Sequence, residues 1–114
     1  MFLAKVEEMA NVSKFASFGV ESSFMGNVNN LVVGPFTYAN KVSVDCGDVA
    51  KVVIGSGCAI GYNVSIKSRT HSLKKPTNNS YGPLAHVEGD ITIGDDCWIG
   101  DNVFIREGVS IGDK

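Results

Sequence analysis

The sequence lacks the features that would assign it to several common classes of protein. No apolar run approaches the roughly 18 residues that a membrane-spanning helix needs. Lys and Arg number 10 against 12 Asp and Glu, a net charge of −2, whereas nucleic-acid-binding proteins normally carry a basic surface. The N-terminal stretch "MFLAKVEEMANV" has Glu7 and Glu8 where a secretory signal needs apolar residues. We therefore expect a cytoplasmic protein with no membrane and no nucleic-acid partner.

Cysteine and histidine are also scarce. The three cysteines, Cys46, Cys58 and Cys97, form no C-x-x-C pair, and an odd number without a secretory signal does not suggest a disulfide framework. The chain has two histidines, His71 and His86, and no His-x-x-x-x-His pattern joins them. We expect no metal site.

The most informative feature of the sequence is a six-residue repeat. Isoleucines recur at this spacing in two series: Ile54, Ile60 and Ile66, then Ile93, Ile99, Ile105 and Ile111. Glycine follows most of them, and a small or β-branched apolar residue stands four positions later, as at Cys58, Val64, Cys97, Val103 and Val109. This spacing does not match the 3.6-residue period of an amphipathic helix.

Hexapeptide repeats are the signature of a parallel β-helix. The small residue and the next isoleucine are two positions apart, so both face the interior of a short strand. Three repeats would complete one triangular coil. The sequence predicts an all-β fold, with residues 1–114 forming a single β-helical domain and residues 1–11 forming an N-terminal cap or irregular segment. Cys58 and Cys97 occupy the small inward position, where a free cysteine behaves as a compact apolar residue.

The repeat is interrupted between Ile66 and Ile93, which are 27 positions apart, a number that is not a multiple of six. We expect a loop around residues 67–90 to project from the coil there, because its prolines, asparagines and serines favour loops. Upstream, Val33 and Gly34 are out of phase with Ile54. Phe18, Phe24, Phe36 and Val42 share its phase.

The glycines of "VVIGSGCAIGY" raise the alternative of a phosphate-binding loop. A dinucleotide-binding fingerprint has the spacing G-x-G-x-x-G between a strand and a helix. Here Gly55, Gly57 and Gly61 have the spacing G-x-G-x-x-x-G, and a strand-like run follows. We interpret them as turn residues that adopt backbone dihedrals unusual for other amino acids.

Functional residues of a solenoid lie on its outward positions and inserted loops. Trp98, between Cys97 and Ile99, is predicted to point outward, either under a loop, at an interface or in a ligand groove. His71 stands at the start of the insertion, where it is either an inert surface residue or a general base. His86 is a weaker candidate. Cations surround His71 and either are simply solvated or attract an anionic cosubstrate: Lys67, Arg69, Lys74 and Lys75.

Together the repeat, "YAN" at 38–40, "RTHSL" at 69–73 and "IGDDCWIGDNVFIREGVSIGD" at 93–113 resemble the hexapeptide-repeat O-acetyltransferases. These include the maltose, galactoside and xenobiotic acetyltransferases. The resemblance covers roughly residue 33 to residue 114. It implies a left-handed parallel β-helix, a homotrimer with active sites between subunits, and acetyl-CoA as the cosubstrate.

The resemblance also implies roles for individual residues. His71 would be the general base that deprotonates an acceptor hydroxyl of a sugar or small xenobiotic. Tyr38 and Asn40 would contact the acceptor, and Trp98 would line the pocket near the acyl end of CoA. Asp101 would lie near the pantetheine arm of the cosubstrate. Lys74 and Lys75, from the cluster of cations around His71, are the charged residues predicted to contact it.

Chains of this family usually continue past the position of Lys114 with a further coil that helps to bind CoA. This sequence stops at Lys114 and so departs from that pattern. The difference keeps a second interpretation open, in which the chain is a truncated, non-catalytic solenoid that acts as an assembly or binding module. A zinc lyase on the same fold is a third.

Overall fold

A computed structural model of the chain describes residues 6–71 and 86–114, and at Glu7, His71 and His86 it describes the backbone alone. In these residues the chain winds through four coils of three short strands each. Coil 1 consists of Ser17–Phe18 (β1), Ser23–Gly26 (β2) and Leu31–Val33 (β3). Coil 2 consists of Tyr38–Ala39 (β4), Val42–Cys46 (β5) and Val52–Ile54 (β6).

Coil 3 contains the insertion between its second and third strands. Its strands are Ala59–Ile60 (β7), Val64–Lys67 (β8) and Ile91–Ile93 (β11). The inserted hairpin has strands Arg69–His71 (β9) and His86–Glu88 (β10). Coil 4 consists of Trp98–Ile99 (β12), Phe104–Ile105 (β13) and Ser110–Ile111 (β14). The insertion predicted around residues 67–90 is thus confirmed, and its base is an antiparallel ribbon.

Corresponding strands of successive coils stack into three parallel sheets. Sheet I has the order β1-β4-β7-β12, sheet II has β2-β5-β8-β13, and sheet III has β3-β6-β11-β14. The prediction of an all-β parallel solenoid is confirmed, and the architecture is consistent with a left-handed β-helix. Short 3₁₀ turns at Val6–Glu8 and Val28–Asn30 are the helical segments of the described residues, and none is long and apolar enough to cross a membrane.

The core is a set of apolar columns that run through the coils. Val33, Ile54 and Ile93 are register partners in sheet III and are buried. Cys58 and Cys97 are also buried, as their position in the repeat predicts. Each donates its thiol to a glycine carbonyl of the next coil, Cys58 to Gly94 at 3.1 Å and Cys97 to Gly112 at 2.9 Å. All three cysteines are free.

Register spacings show where the repeat is interrupted. In sheet III, Val33 pairs with Ile54, Ile54 with Ile93, and Ile93 with Ile111. These separations are 21, 39 and 18 residues, and 18 is three hexapeptides. Val33 therefore belongs to the core although it is out of phase with Ile54. Phe36 shares the phase of Ile54 by counting but lies outside the core, since it is 70% exposed on a corner at φ 65°.

The additional residues all enter at one corner of the triangle. We call this corner, between sheets II and III, the insertion corner. Its described residues are 27–30 in coil 1, 47–51 in coil 2, 68–71 with 86–90 in coil 3, and 106–109 in coil 4. The corner between sheets III and I, called here the glycine corner, comprises residues 34–37, 55–58 and 94–97. It has the same length in every coil.

The turn-dihedral explanation of the repeat glycines holds for Gly57, at φ 68°, and is wrong for Gly55. A Cβ on Gly55 would lie 2.3 Å from Asp95 Oδ1 and 2.7 Å from the Gly94 carbonyl carbon. Gly61 meets Asp101 in the same way. The glycine is required because an aspartate of the next coil packs against it.

Candidate functional site

The hairpin at the insertion corner carries the predicted base. His71 ends β9 and His86 begins β10, and the two are cross-strand partners in the antiparallel ribbon. The structure thus pairs the backbones of two histidines that are 15 positions apart in the sequence. The other end of the ribbon joins the coil, where the Gly89 N–H donates to the Ser68 carbonyl at 3.0 Å.

Polar contacts fix the base of this hairpin to two coils. Arg69 donates to Asp45 Oδ1 of coil 2 at 3.0 Å. Thr70, the residue before His71, donates its hydroxyl to Glu107 Oε1 of coil 4 at 2.6 Å. Glu88 accepts the backbone N–H groups of Val49 and Ala50, both at 2.9 Å. The backbone that leads into His71 is therefore held from above and below.

Glu88 and Glu107, the two glutamates whose hydrogen bonds fix the hairpin to the coils, are anionic at neutral pH. The backbone N–H groups of Ala50 and Val49 lower the pKa of Glu88. The Arg106 guanidinium, followed by the Thr70 hydroxyl, lowers the pKa of Glu107. Hydrogen bonds to the charged form stabilise it, so both contacts are strongest when the carboxylates are ionised.

Sheet I carries the predicted aromatic residues. Tyr38, Ala59 and Trp98 are register partners on neighbouring strands. Tyr38 is 48% exposed and Trp98 is 82% exposed, which confirms that Trp98 points outward. Asn40 follows β4 at the next corner, between sheets I and II, where its backbone N–H donates to the Ile60 carbonyl at 2.9 Å and the residue is exposed.

Asp101 has a structural contact in addition to its predicted role. Its Oδ1 accepts the Tyr62 backbone N–H of the preceding coil at 2.8 Å. Three other aspartates make the same contact with the coil before them: Asp90 with Lys51, Asp95 with Ser56 and Asp113 with Asp95. A contact with the cosubstrate stays a prediction for Asp101.

Matches to known proteins agree with this geometry. Residues 90–114 match the family model described as the hexapeptide repeat of succinyl-transferase. This stretch of the chain, which includes all of coil 4, is therefore similar to a known hexapeptide repeat. The chain is also 36% identical over 80 residues to a Dictyostelium discoideum protein named as a putative acetyltransferase. That alignment covers 70% of this chain and 40% of the relative, so the match spans about two fifths of the relative's length.

The two matches confirm the predicted resemblance to hexapeptide-repeat acetyltransferases. No solved structure matched the chain significantly. The resemblance rests on the repeat in residues 90–114 and on a partial alignment, together with the coil architecture.

This hexapeptide-repeat chain does not gather all its predicted site residues in one place. Tyr38 and Trp98 lie on sheet I, and Asn40 and Asp101 lie beside that sheet. The insertion corner, with His71, lies between the other two sheets and so on the opposite side of the triangular coil. Lys74 and Lys75 lie outside the described residues. Across residues 6–71 and 86–114, no three His, Cys, Asp or Glu side chains are grouped as a metal site would require.

Sequence reasoning did not identify the residues that hold the hairpin. Glu88 and Glu107 are separated by 39 and 37 positions from the groups they bind at Val49 and Thr70. The hexapeptide pattern gives no signal for either. Glu88 lies in the insertion, where the period is lost, and Glu107 takes a position of the repeat that the pattern leaves unspecified. The hexapeptide pattern also gives no signal for Ala59, the small residue that lies between Tyr38 and Trp98 in sheet I.

Proposed function

We propose that the chain is part of an acetyl-CoA-dependent O-acetyltransferase that acts on a hydroxyl group of a sugar or small xenobiotic. The observation that carries the proposal is the placement of His71. It ends a strand whose preceding residues are anchored to coils 2 and 4, on a scaffold whose matched relative is named for acetyl transfer. A base must be held in place to act, and loops on rigid scaffolds commonly carry catalytic groups.

His71 acts as the general base in this proposal. It accepts the proton of the acceptor hydroxyl as the oxygen attacks the thioester carbonyl of acetyl-CoA. The tetrahedral intermediate then expels the CoA thiolate, which takes the proton back from the imidazolium. The products are the acetyl ester and CoA, and no covalent enzyme intermediate is needed.

The complete site takes residues from two copies of the chain. Sheet I and the insertion corner lie on opposite sides of the coil, so the Tyr38, Asn40 and Trp98 surface of one copy faces the His71 hairpin of another. A homotrimer with three such sites fits this arrangement. Lys74, Lys75, Asp101 and Trp98 are the proposed cosubstrate contacts. Three free cysteines support the proposal of a cytoplasmic location.

The first test replaces His71. CoA thiol release from acetyl-CoA is measured against a panel of sugars and small alcohols, with wild type and His71→Ala. Removal of a general base is expected to lower kcat by about 10²–10⁴-fold. Glu21→Ala is the matched control, because the Glu21 side chain is 74% exposed and its carboxylate pairs with Lys41 at 3.6 Å. Transfer by His71→Ala at the wild-type rate, or no transfer by wild type to any acceptor, would contradict the proposal.

The second test asks whether the site is shared between copies. His71→Ala and Trp98→Ala chains are unfolded, mixed in equal amounts and refolded together. Random assembly of a closed trimer leaves about one quarter of the sites with both native residues, so about one quarter of the wild-type activity should return. If both residues came from the same copy, the mixture would be no more active than its parts.

A further inference from the structure

The outward face of sheet I contains an interrupted aromatic ladder. The column runs Tyr38, Ala59, Trp98 on three neighbouring strands. Strands are spaced about 4.8 Å apart, so the two aromatic residues are about 9.6 Å apart along the solenoid. Ala59 is half-buried between them and leaves one ring position unfilled. The gap has the height of one side chain.

The chain itself shows that aromatic rings at the same position of neighbouring coils stack. Phe15 and Phe36 stand two positions before the paired residues Ser17 and Tyr38, and the Phe36 N–H donates to the Phe15 carbonyl at 3.1 Å. Their ring centroids are 5.6 Å apart and the planes are inclined by 26°. This pair is an internal example of the contact that is missing on both sides of Ala59.

A flat ring placed over Ala59 would complete the ladder. Its centre would lie one strand spacing, about 4.8 Å, from each aromatic residue, within the range of about 4.5–7 Å that stacked rings prefer. A saturated ring is thicker and lacks the quadrupole that favours stacking. The gap therefore selects an aromatic or heteroaromatic ring over a saturated one.

The charges near Trp98 indicate which ligand supplies the ring. Asp95 and Asp96 precede it and Asp101 follows it. Asp96 lies on the strand-entry side of the gap: a Cβ on Gly57, two positions before Ala59, would meet Asp96 Oδ1 at 2.5 Å. Carboxylates repel the phosphates that accompany the adenine ring of CoA. A neutral or cationic ring suits the gap better.

We propose that the gap over Ala59 is a binding slot for a neutral aromatic ring of the acceptor, so that the acceptors of this chain are aryl-bearing alcohols. This inference rests on the proposed function, because an acceptor is needed only if acetyl transfer takes place. Ala59 is the residue that determines specificity, and Tyr38 and Trp98 form the two walls.

Trp98 makes binding measurable without catalysis, because it is the single tryptophan of the chain. The full chain is titrated with 4-nitrobenzyl alcohol, whose nitrophenyl ring quenches indole emission on contact. Saturable quenching without a change of fluorescence lifetime is expected, since the ring would rest against the indole. Ala59→Phe fills the gap and should abolish saturable quenching. Ala59→Ser keeps the gap open and should bind like wild type, and circular dichroism confirms that both variants fold.

Activity assays supply the second readout. Ala59→Phe should raise KM for 4-nitrobenzyl alcohol by about tenfold or more, because two ring contacts are lost, and should leave KM for ethanol-sized acceptors unchanged. Saturable quenching in wild type without any acetyl transfer would support the slot and contradict the proposed function. Acetyl transfer with identical quenching in Ala59→Phe and wild type would contradict the slot alone.

Two other occupants are distinguished by the same titration. CoA bound beside Trp98 is expected to leave quenching by the alcohol intact. If CoA instead competes with the alcohol and displaces it, the slot binds the cosubstrate and the proposal is overturned. If the alcohol never quenches and Trp98 emission shifts with protein concentration, a second copy of the chain covers the slot, which also overturns it.

Discussion

The glycine corner and the insertion corner bound the same sheet III, yet they tolerate change very differently. At the glycine corner, Gly55 and Gly94 are overlain by Asp95 and Asp113 of the next coil. At the insertion corner, successive coils differ in length and are joined by longer side chains, such as Glu88 reaching the N–H groups of Val49 and Ala50. Close backbone packing fixes the length of one corner. Side-chain bridges that span variable distances allow the other to lengthen.

The comparison explains why the hairpin emerges where it does. An insertion at the glycine corner would separate each aspartate from the N–H group it binds, as in the 2.8 Å contact of Asp95 with Ser56. An insertion at the other corner leaves the three sheets in register: Ile93 pairs with Ile54 despite the residues added between them. The inserted hairpin lies at the corner that can lengthen without separating the stacked core residues.

The largest expected effect comes from inserting Gly-Ser at the two corners. Between Gly57 and Cys58 the insertion displaces a buried thiol and the aspartate contacts, and we expect loss of a cooperative unfolding transition. Between Gly108 and Val109, where a Cβ on Gly108 would meet nothing within 4 Å, we expect a loss of about 1 kcal/mol or less, because lengthening a loop costs little. Urea unfolding followed by circular dichroism measures both. Equal losses would show that the corners do not differ.

Adding a single methyl group at the glycine corner tests the same comparison, with a smaller expected loss of stability. Gly55→Ala pushes a Cβ towards the backbone of Gly94, and we expect a loss of about 1–3 kcal/mol from overpacking. Gly112→Ala is the matched control, because Gly112 has the same place in the repeat and its Cβ would meet nothing within 4 Å. Its unfolding midpoint should be unchanged. If Gly55→Ala unfolds at the wild-type urea concentration, close approach does not explain the repeat glycine.

The smallest of the three expected effects is a loss of stability at the insertion corner when the pH is lowered. The pKa of Glu107 is lowered in the fold and is about 4.3 in an unfolded chain. Its stabilising contribution is therefore present above that unfolded value and is lost as the pH falls through the lowered pKa. The difference in urea midpoint between wild type and Glu107→Gln should be largest at pH 7 and disappear in acid. Glu21→Gln, at an exposed surface pair, should show little difference at either pH.

The sequence predicts the solenoid well because each position of the repeat determines whether a side chain faces the interior of the coil. Isoleucines at hexapeptide spacing fill the interior columns, and Cys58 and Cys97 take the small inward positions that the repeat assigns to them. The phase of Phe36 could not be assigned by counting in sixes, because the insertion corner of coil 2 adds residues between Phe36 and Ile54. Counting is valid within a coil and fails across that corner.

The candidate site is less predictable, because its parts are related by stacking rather than by sequence distance. Trp98 is correctly placed outward by its neighbours Cys97 and Ile99. His71 and Trp98 lie on opposite sides of the coil because their strands belong to different sheets, which the sequence distance between them does not reveal. The gap at Ala59 likewise depends on the register of Ala59 with Tyr38. The roles of His71, Tyr38, Asn40, Trp98 and Asp101 stay predictions for the experiments above.

The buried thiols allow the order of unwinding to be followed. Burial raises the pKa of Cys46 to about 11 and raises the pKa of Cys97, and Cys58 and Cys97 donate to carbonyls of the coil that follows each. A thiol-specific reagent can therefore react only after neighbouring coils separate. Cys97 contacts coil 4, whereas Cys46 lies in coil 2, so the order in which the three are modified gives the direction in which the solenoid comes apart.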